Sequence, residues 1–203
     1  MFNFFRKKDP AIPVNDQVYM NLGGKMNALR GLLGEVTQAW VLCWFEETFD
    51  RVVGQLQADG LPFGSVRAQA QAAGGLSAPI LVWMIDALPA PDRLERRTHA
   101  PSSIIFVGRH PLADTETAAI KQLHNLFPDA PITRLTALDE PLFADLGNIK
   151  ELMEKLGMAP DEALSHAMIT RSIDRLQKKN ERTLLGADIR SSQANWLKNN
   201  QKS

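Results

Sequence analysis

Three apolar runs, Ala39 to Phe45, Pro79 to Ile85 and Ser103 to Gly108, together with a fourth strand-like segment, Ile132 to Ala137, constrain this chain more than any other feature. Each has the length of a strand, is dominated by branched, aromatic or other apolar residues, and lacks the polar alternation of a sheet with one wet face. The segment after the first run has helical spacing, with Phe49, Val52, Val53 and Leu56 at i, i+3, i+4 and i+7. It opens on Glu46-Glu47, which suits the positive end of a helix, and stops at Asp59-Gly60. The segment after the third run places Ala119, Ile120, Leu123 and Phe127 inward on a helix from about Asp114 to Phe127. Doubly buried strands alternating with amphipathic helices predict an α/β lobe of three layers, a mainly parallel sheet covered on both faces.

The remaining chain fits around that lobe. Met20, Leu22, Met26, Leu29 and Leu33 predict a helix from Val18 to Leu33; Leu61 to Val66 reads as a short strand, and Arg67 to Ala73 as a weak helix. The proline-rich stretch 88–101 reads as a long exposed loop. Strand signals end at Leu138. Asp139 and Asn148 are each placed to cap a helix, the second carrying Ile149, Leu152, Met153 and Leu156, and Pro160 to start a longer one with Leu164, Met168, Ile169, Ile173 and Leu176 inward. The tail from Lys178 is expected to be helical to about Leu197. The organisation predicted is a flexible segment over 1–17, an α/β lobe over 18–138 and a helical extension over 139–203, wholly helical to 197.

Charge excludes some partners. Lys plus Arg and Asp plus Glu both number 23, without the basic excess of a protein that grips nucleic acid through phosphates. The balance hides an asymmetry: residues 111–170 hold four basic and ten acidic side chains, and residues 171–203 hold eight and three. Such a tail reads first as a solvated helix rich in Lys and Arg, beside two sharper readings, that it closes on an acidic surface of its own chain or reaches for an acidic partner. Phe2, Phe4 and Phe5 beside Arg6, Lys7 and Lys8 predict a weak contact with a membrane surface or a partner, since rings enter the headgroup boundary and anionic lipid attracts the cations. With no apolar run of spanning length, no signal-peptide pattern and a single cysteine, the expected location is cytoplasmic.

Little catalytic chemistry is legible. Neither a G-x-x-x-x-G-K-[ST] loop nor a G-x-G-x-x-G turn occurs. His99, His110, His124 and His166 have no shared ligand spacing, so no metal is expected. Cys43, between Leu42 and Trp44 in an apolar run, reads as a core hydrophobe. The acidic pairs Glu46-Glu47 and Asp139-Glu140 each fall at a predicted helix start, where capping accounts for them. Arg109 and His110, directly after the third run, and Asp86, directly after the second, are the candidate ligand-edge residues, because open α/β sheets bind ligands beyond the carboxyl ends of their strands.

Two strings in the last third carry a resemblance. Ala137-Leu138-Asp139-Glu140-Pro141-Leu142 is followed by Ile149-Lys150-Glu151-Leu152-Met153-Glu154-Lys155-Leu156-Gly157-Met158, then by Asp161-Glu162-Ala163-Leu164-Ser165-His166 and Met168-Ile169-Thr170-Arg171-Ser172-Ile173. These resemble the segment of the SecA preprotein translocase motors in which the second RecA-like lobe hands over to the helical scaffold, with its KLGM, EAIEH and VTKAI strings. Asp188-Ile189-Arg190 echoes the FDIRK element that follows, and Ile104 to His110 is similar to the VIGTERH strand. The runs at Ala39 and Pro79 are similar to the first strand of that lobe and to the strand bearing its next motor motif. The resemblance implies a RecA-like lobe, but the groups that would touch nucleotide are missing. Leu88-Pro89-Ala90-Pro91-Asp92 stands where the family has a glycine-rich nucleotide-sensing motif. Ile120 to Phe127 lacks the arginines of the Q-x-x-G-R-x-G-R motif, and these 203 residues hold no first lobe with a Walker lysine. The function implied is a non-catalytic SecA-like binding or adaptor module linked to protein translocation or secretion, with a protein partner, no cofactor and possible peripheral contact at the inner membrane. Two other readings stand beside it: an α/β enzyme working near Asp86, Arg109 and His110, and a subunit that lends its lobe to a separate ATPase.

Overall fold

A computed structural model describes residues 12–68, 77–88, 100–146, 159, 162–164 and 167–202. The aromatic and basic segment from Phe2 to Lys8, the weak helix beyond Ala68, most of the proline-rich loop and the helix expected after Asn148 lie outside those residues. Six strands form one sheet in the order β1-β6-β5-β2-β4-β3, every neighbouring pair parallel. They are β1 (Val14–Tyr19), β2 (Ala39–Cys43), β3 (Phe63–Val66), β4 (Ile80–Met84), β5 (Ser103–Val107) and β6 (Ile132–Ala137). Every residue of β2, β4, β5 and β6 is buried, the physical counterpart of the three apolar runs and of the fourth strand-like segment, whose Thr133, Arg134 and Thr136 are buried with it.

The helices are α1 (Leu22–Glu35), α2 (Glu46–Ala58), α3 (Ala113–Leu126), α4 (Ala167–Thr183) and α5 (Gln193–Asn199). Leaving β1 and β2 the chain moves one way along the sheet, and leaving β5 it moves the other. Right-handed crossovers then put α1 and α2 on one face and α3 on the opposite one. This is the three-layer α/β lobe that the sequence predicts. The core runs through both layers: Trp40 packs against Trp83 and Phe127, with centroids at 5.4 and 5.0 Å, and Leu29, Val52, Leu56 and Leu123 close it from the helices.

The structure corrects the sequence reading in three places. Val14–Tyr19, expected to be linker and helix start, is the edge strand β1, paired with β6 from Val14 opposite Ile132 to Tyr19 opposite Ala137. Its pattern is obscured because Asn15, Asp16 and Gln17 interrupt the apolar residues, and Asp16 is retained there by two arginines. The Asp139 carboxylate does not cap a helix of its own; it accepts from the N–H of Leu22 at 3.0 Å and so caps α1. The extension is not wholly helical. Leu164 bridges Val18 in antiparallel fashion, and α4 ends at Thr183, after which residues 184–192 form no helix, passing through Gly186 at φ +81° before α5 begins.

Candidate functional site

The chain leaves β2 and β5, neighbours in the sheet, in opposite directions. The crevice between their carboxyl ends is therefore the topological switch point, where open α/β sheets take ligands. A cavity of about 170 Å³ lies there, with Trp44 and Phe45 after β2, Val107 at the end of β5 and Gly108 after it, and Lys25 and Glu140 on its wall. Lys25 comes from α1 with only 1% of its side chain exposed, and its ammonium is ion-paired with Glu140, from the turn after β6. The other Glu140 oxygen, Oε2, is buried without a hydrogen-bond partner. Gly108 admits this pair. Its φ is +96°, and a Cβ there would lie 3.3 Å from Glu140 Oε1 and 3.8 Å from Lys25 Nζ.

Parallel strands aim the N-termini of their crossover helices at this same edge, and exposed N–H groups at such termini are what anionic ligands bind. Here several of them are met from within the chain. At α1, Asn21 accepts from Gly24 N at 2.9 Å and Asp139 accepts from Leu22 N. At α2, which starts at the switch point, the N–H groups of Glu46 and Glu47 donate to the carbonyl oxygens of Arg190 and Ser191 at 2.7 and 3.0 Å. At α3, Asp114 N donates to Glu181 at 2.7 Å. The stretch before α5 is thus a strap laid across the helix end that would face a ligand. Its fastenings are the ion pair of Arg190 with Asp86, the buried Trp196, and Gln193, which accepts from Leu142 N at 2.8 Å and donates to the Arg109 carbonyl at 3.1 Å.

Of the sequence-predicted ligand-edge residues, Arg109 lines this cavity, and all three are engaged by contacts within the chain. The Arg109 guanidinium is wholly buried and donates to Asp16 Oδ1 at 3.0 Å, Gln177 Oε1 at 3.2 Å and Thr136 Oγ1 at 3.3 Å, with Asp174 at 3.5 Å. Burial pulls its pKa below the ordinary value while Asp16 and Asp174 oppose the shift. Arg134 shares Asp16, at 2.5 and 2.6 Å, and is paired with Glu116 as well. His110 is enclosed by Trp44, Phe45 and Trp196 at centroid distances of 5.1, 6.2 and 5.3 Å. Its Nδ1 accepts from Leu112 N at 3.1 Å, and burial lowers its pKa to about 4, so the ring is neutral at pH 7. Asp86 is the strap's anchor and lies away from the other two in role. Cys43 is buried, its thiol pushed up to about 12, which leaves it protonated.

Sequence reasoning missed Lys25, Asp16, Glu116, Arg134, Gln177 and Gln193. A signal existed for three of them. Glu116 falls four residues before Ile120 and Gln177 four after Ile173, on the inward faces of their helices, and Arg134 stands inside the fourth strand-like segment; a charge or amide in such a place needs a buried partner. Among the described residues no three His, Cys, Asp or Glu side chains are grouped so as to hold a metal ion, and no helix is long and apolar enough to cross a membrane.

No protein-family model matches the chain, and no curated protein matches it. Among solved structures it is similar to the crystal structure of the C-terminal part of the Fun30 ATPase domain, with a TM-score of 0.43 and 14% identity. That similarity covers 78% of this chain and 54% of the Fun30 chain.

Proposed function

We propose that this chain is a non-catalytic, SecA-like RecA-type lobe serving as a binding or adaptor module, with a protein partner and a link to protein translocation or secretion. One observation supports it above the others: at the switch point, the N–H groups that open α2 are already bonded to the carbonyl oxygens of Arg190 and Ser191. A phosphate would have to displace the strap to reach them, and would meet Glu46 and Glu47 in the first turn of the same helix. With no phosphate loop and no arginine pair in the sequence, the lobe keeps its architecture and offers its surface. Peripheral membrane contact through Phe2 to Lys8 belongs to the same reading. Its measure is salt-sensitive sedimentation with anionic vesicles that a chain lacking residues 2–8 loses.

Calorimetric titration with ATP and Mg²⁺ tests the central claim. No binding tighter than about 10 μM, roughly 7 kcal/mol, is expected; a tighter constant would require organised phosphate contacts and would overturn the reading. The competing enzyme reading has less to draw on, since Arg109 is saturated by Asp16, Gln177 and Thr136, and His110 is walled by three aromatic rings. A lobe lent to a separate ATPase would be recognised by co-purification of a partner carrying a Walker motif.

A further inference from the structure

The outer face of α4 carries a row of cations. Arg171, Arg175, Lys178, Lys179 and Arg182 are all exposed. At 3.6 residues per turn they fall within an arc of about 100° and a length of about 16 Å. Ile169, Ile173 and Gln177 occupy the buried, opposite side. The acids of this helix are turned to other work, Asp174 facing Arg109 at 3.5 Å and Glu181 accepting from Asp114 N. Among the described residues none of the five cations is paired with a carboxylate. Lys202, whose Nζ donates to the Arg182 carbonyl at 2.9 Å, adds a sixth charge at the end of the row.

Helix electrostatics do not account for the row. Cations stabilise the last turn of a helix, whereas Arg171 lies in the N-terminal half and Arg175 at the centre, and the first turn holds no acid to offset them. The row also has apolar ends: Met168 and Leu185, 56% and 64% exposed, are the large exposed hydrophobic residues of the described chain.

We propose that this face of α4 docks an acidic helical segment of a partner protein, with carboxylates at i, i+3 or i+4 spacing and an apolar residue toward each end. A single line of charge matches a rod, while a membrane plane would reward a two-dimensional patch. Exposed methionine and leucine at the ends gain nothing from a phosphate backbone, and a chain of zero net charge has little long-range pull on nucleic acid. Such docking presupposes the module reading above, yet its failure would leave the ATP titration untouched, so the two are tested separately.

The test uses the full chain and a synthetic labelled helical peptide with glutamates at that spacing and a leucine at each end, against the same peptide with lysines, a DNA duplex and phosphatidylglycerol vesicles. The glutamate peptide is expected to bind, weakening about tenfold or more as salt rises from about 0.05 to 0.3 M. Combining Arg171→Glu, Arg175→Glu and Lys178→Glu, with circular dichroism unchanged, should weaken it at least about tenfold and switch preference to the lysine peptide. Leu185→Ser should lower affinity by a few fold with the salt dependence retained. The proposal is overturned if the glutamate and lysine peptides bind the native chain alike or if reversal leaves the glutamate peptide unaffected. Reversal-sensitive binding that is tighter to DNA or to vesicles than to the peptide would overturn it too.

Discussion

The backbone N–H of Glu46 donates to the carbonyl oxygen of Arg190 at 2.7 Å, which joins the first residue of α2 to the strap from the far end of the chain. The bond needs no particular side chain, but it holds only if the strap is fastened on both sides, by Arg190 to Asp86 before it and by Gln193 and Trp196 after it. A helix terminus that is a ligand site in other open α/β sheets is here part of the fold.

Gln193 is the fastening most open to test. Gln193→Ala strands the buried Leu142 N–H and removes the donor to the Arg109 carbonyl. Loss of about 2 kcal/mol is expected, read as a lower urea midpoint at constant m-value.

Removing Arg109 should be more damaging, since Asp16, Asp174 and Gln177 would lose the cation between them. Arg109→Met is expected to cost about 3 to 5 kcal/mol. Arg109→Lys should recover only part of it, because an ammonium cannot span Asp16, Gln177 and Thr136 together. Calorimetric melting distinguishes the three proteins, at roughly 2 to 4 °C per kcal/mol for a chain of this size.

His110 makes stability depend on pH. Its pKa is about 4 folded against 6.5 as the ordinary value, so between those values the unfolded chain binds a proton that the folded one excludes. Stability is therefore complete above pH 6.5 and falls as pH drops toward 4, by about 3 kcal/mol for this group. His110→Asn keeps an acceptor for Leu112 N without the titration. Denaturation midpoints measured from pH 7 to 4.5 should fall less steeply in that variant than in the native chain, and equal slopes would refute the assignment.

Lys25 and Glu140 form a buried pair whose single and double replacement should differ in sign of outcome. Glu140→Leu alone leaves an uncompensated ammonium and is expected to cost about 3 to 5 kcal/mol; Lys25→Met with Glu140→Leu should lie near the native stability or above it. A double-mutant cycle by urea denaturation measures the coupling directly.

What could be read from the residues alone was the burial of whole segments. Runs such as Ile80–Met84 and Ser103–Val107 are apolar on both faces, and only a sheet covered twice accommodates them, so the four core strands, α2, α3 and the α/β class were legible without coordinates. Single polar residues did not disclose their partners until the fold had brought them together. Asp16 disguised β1 because its partners, Arg109 and Arg134, lie far away in sequence, and Asp139 looked like the cap of the next helix although it accepts from the N–H of Leu22. The break at residue 184 and the strap beyond it follow from carbonyl groups meeting the open end of α2. Apolar pattern is a property of each segment by itself, because water is excluded from any face that lacks polarity. The partner of a buried charge or a backbone N–H is decided by geometry between segments, and that existed only once the sheet was assembled.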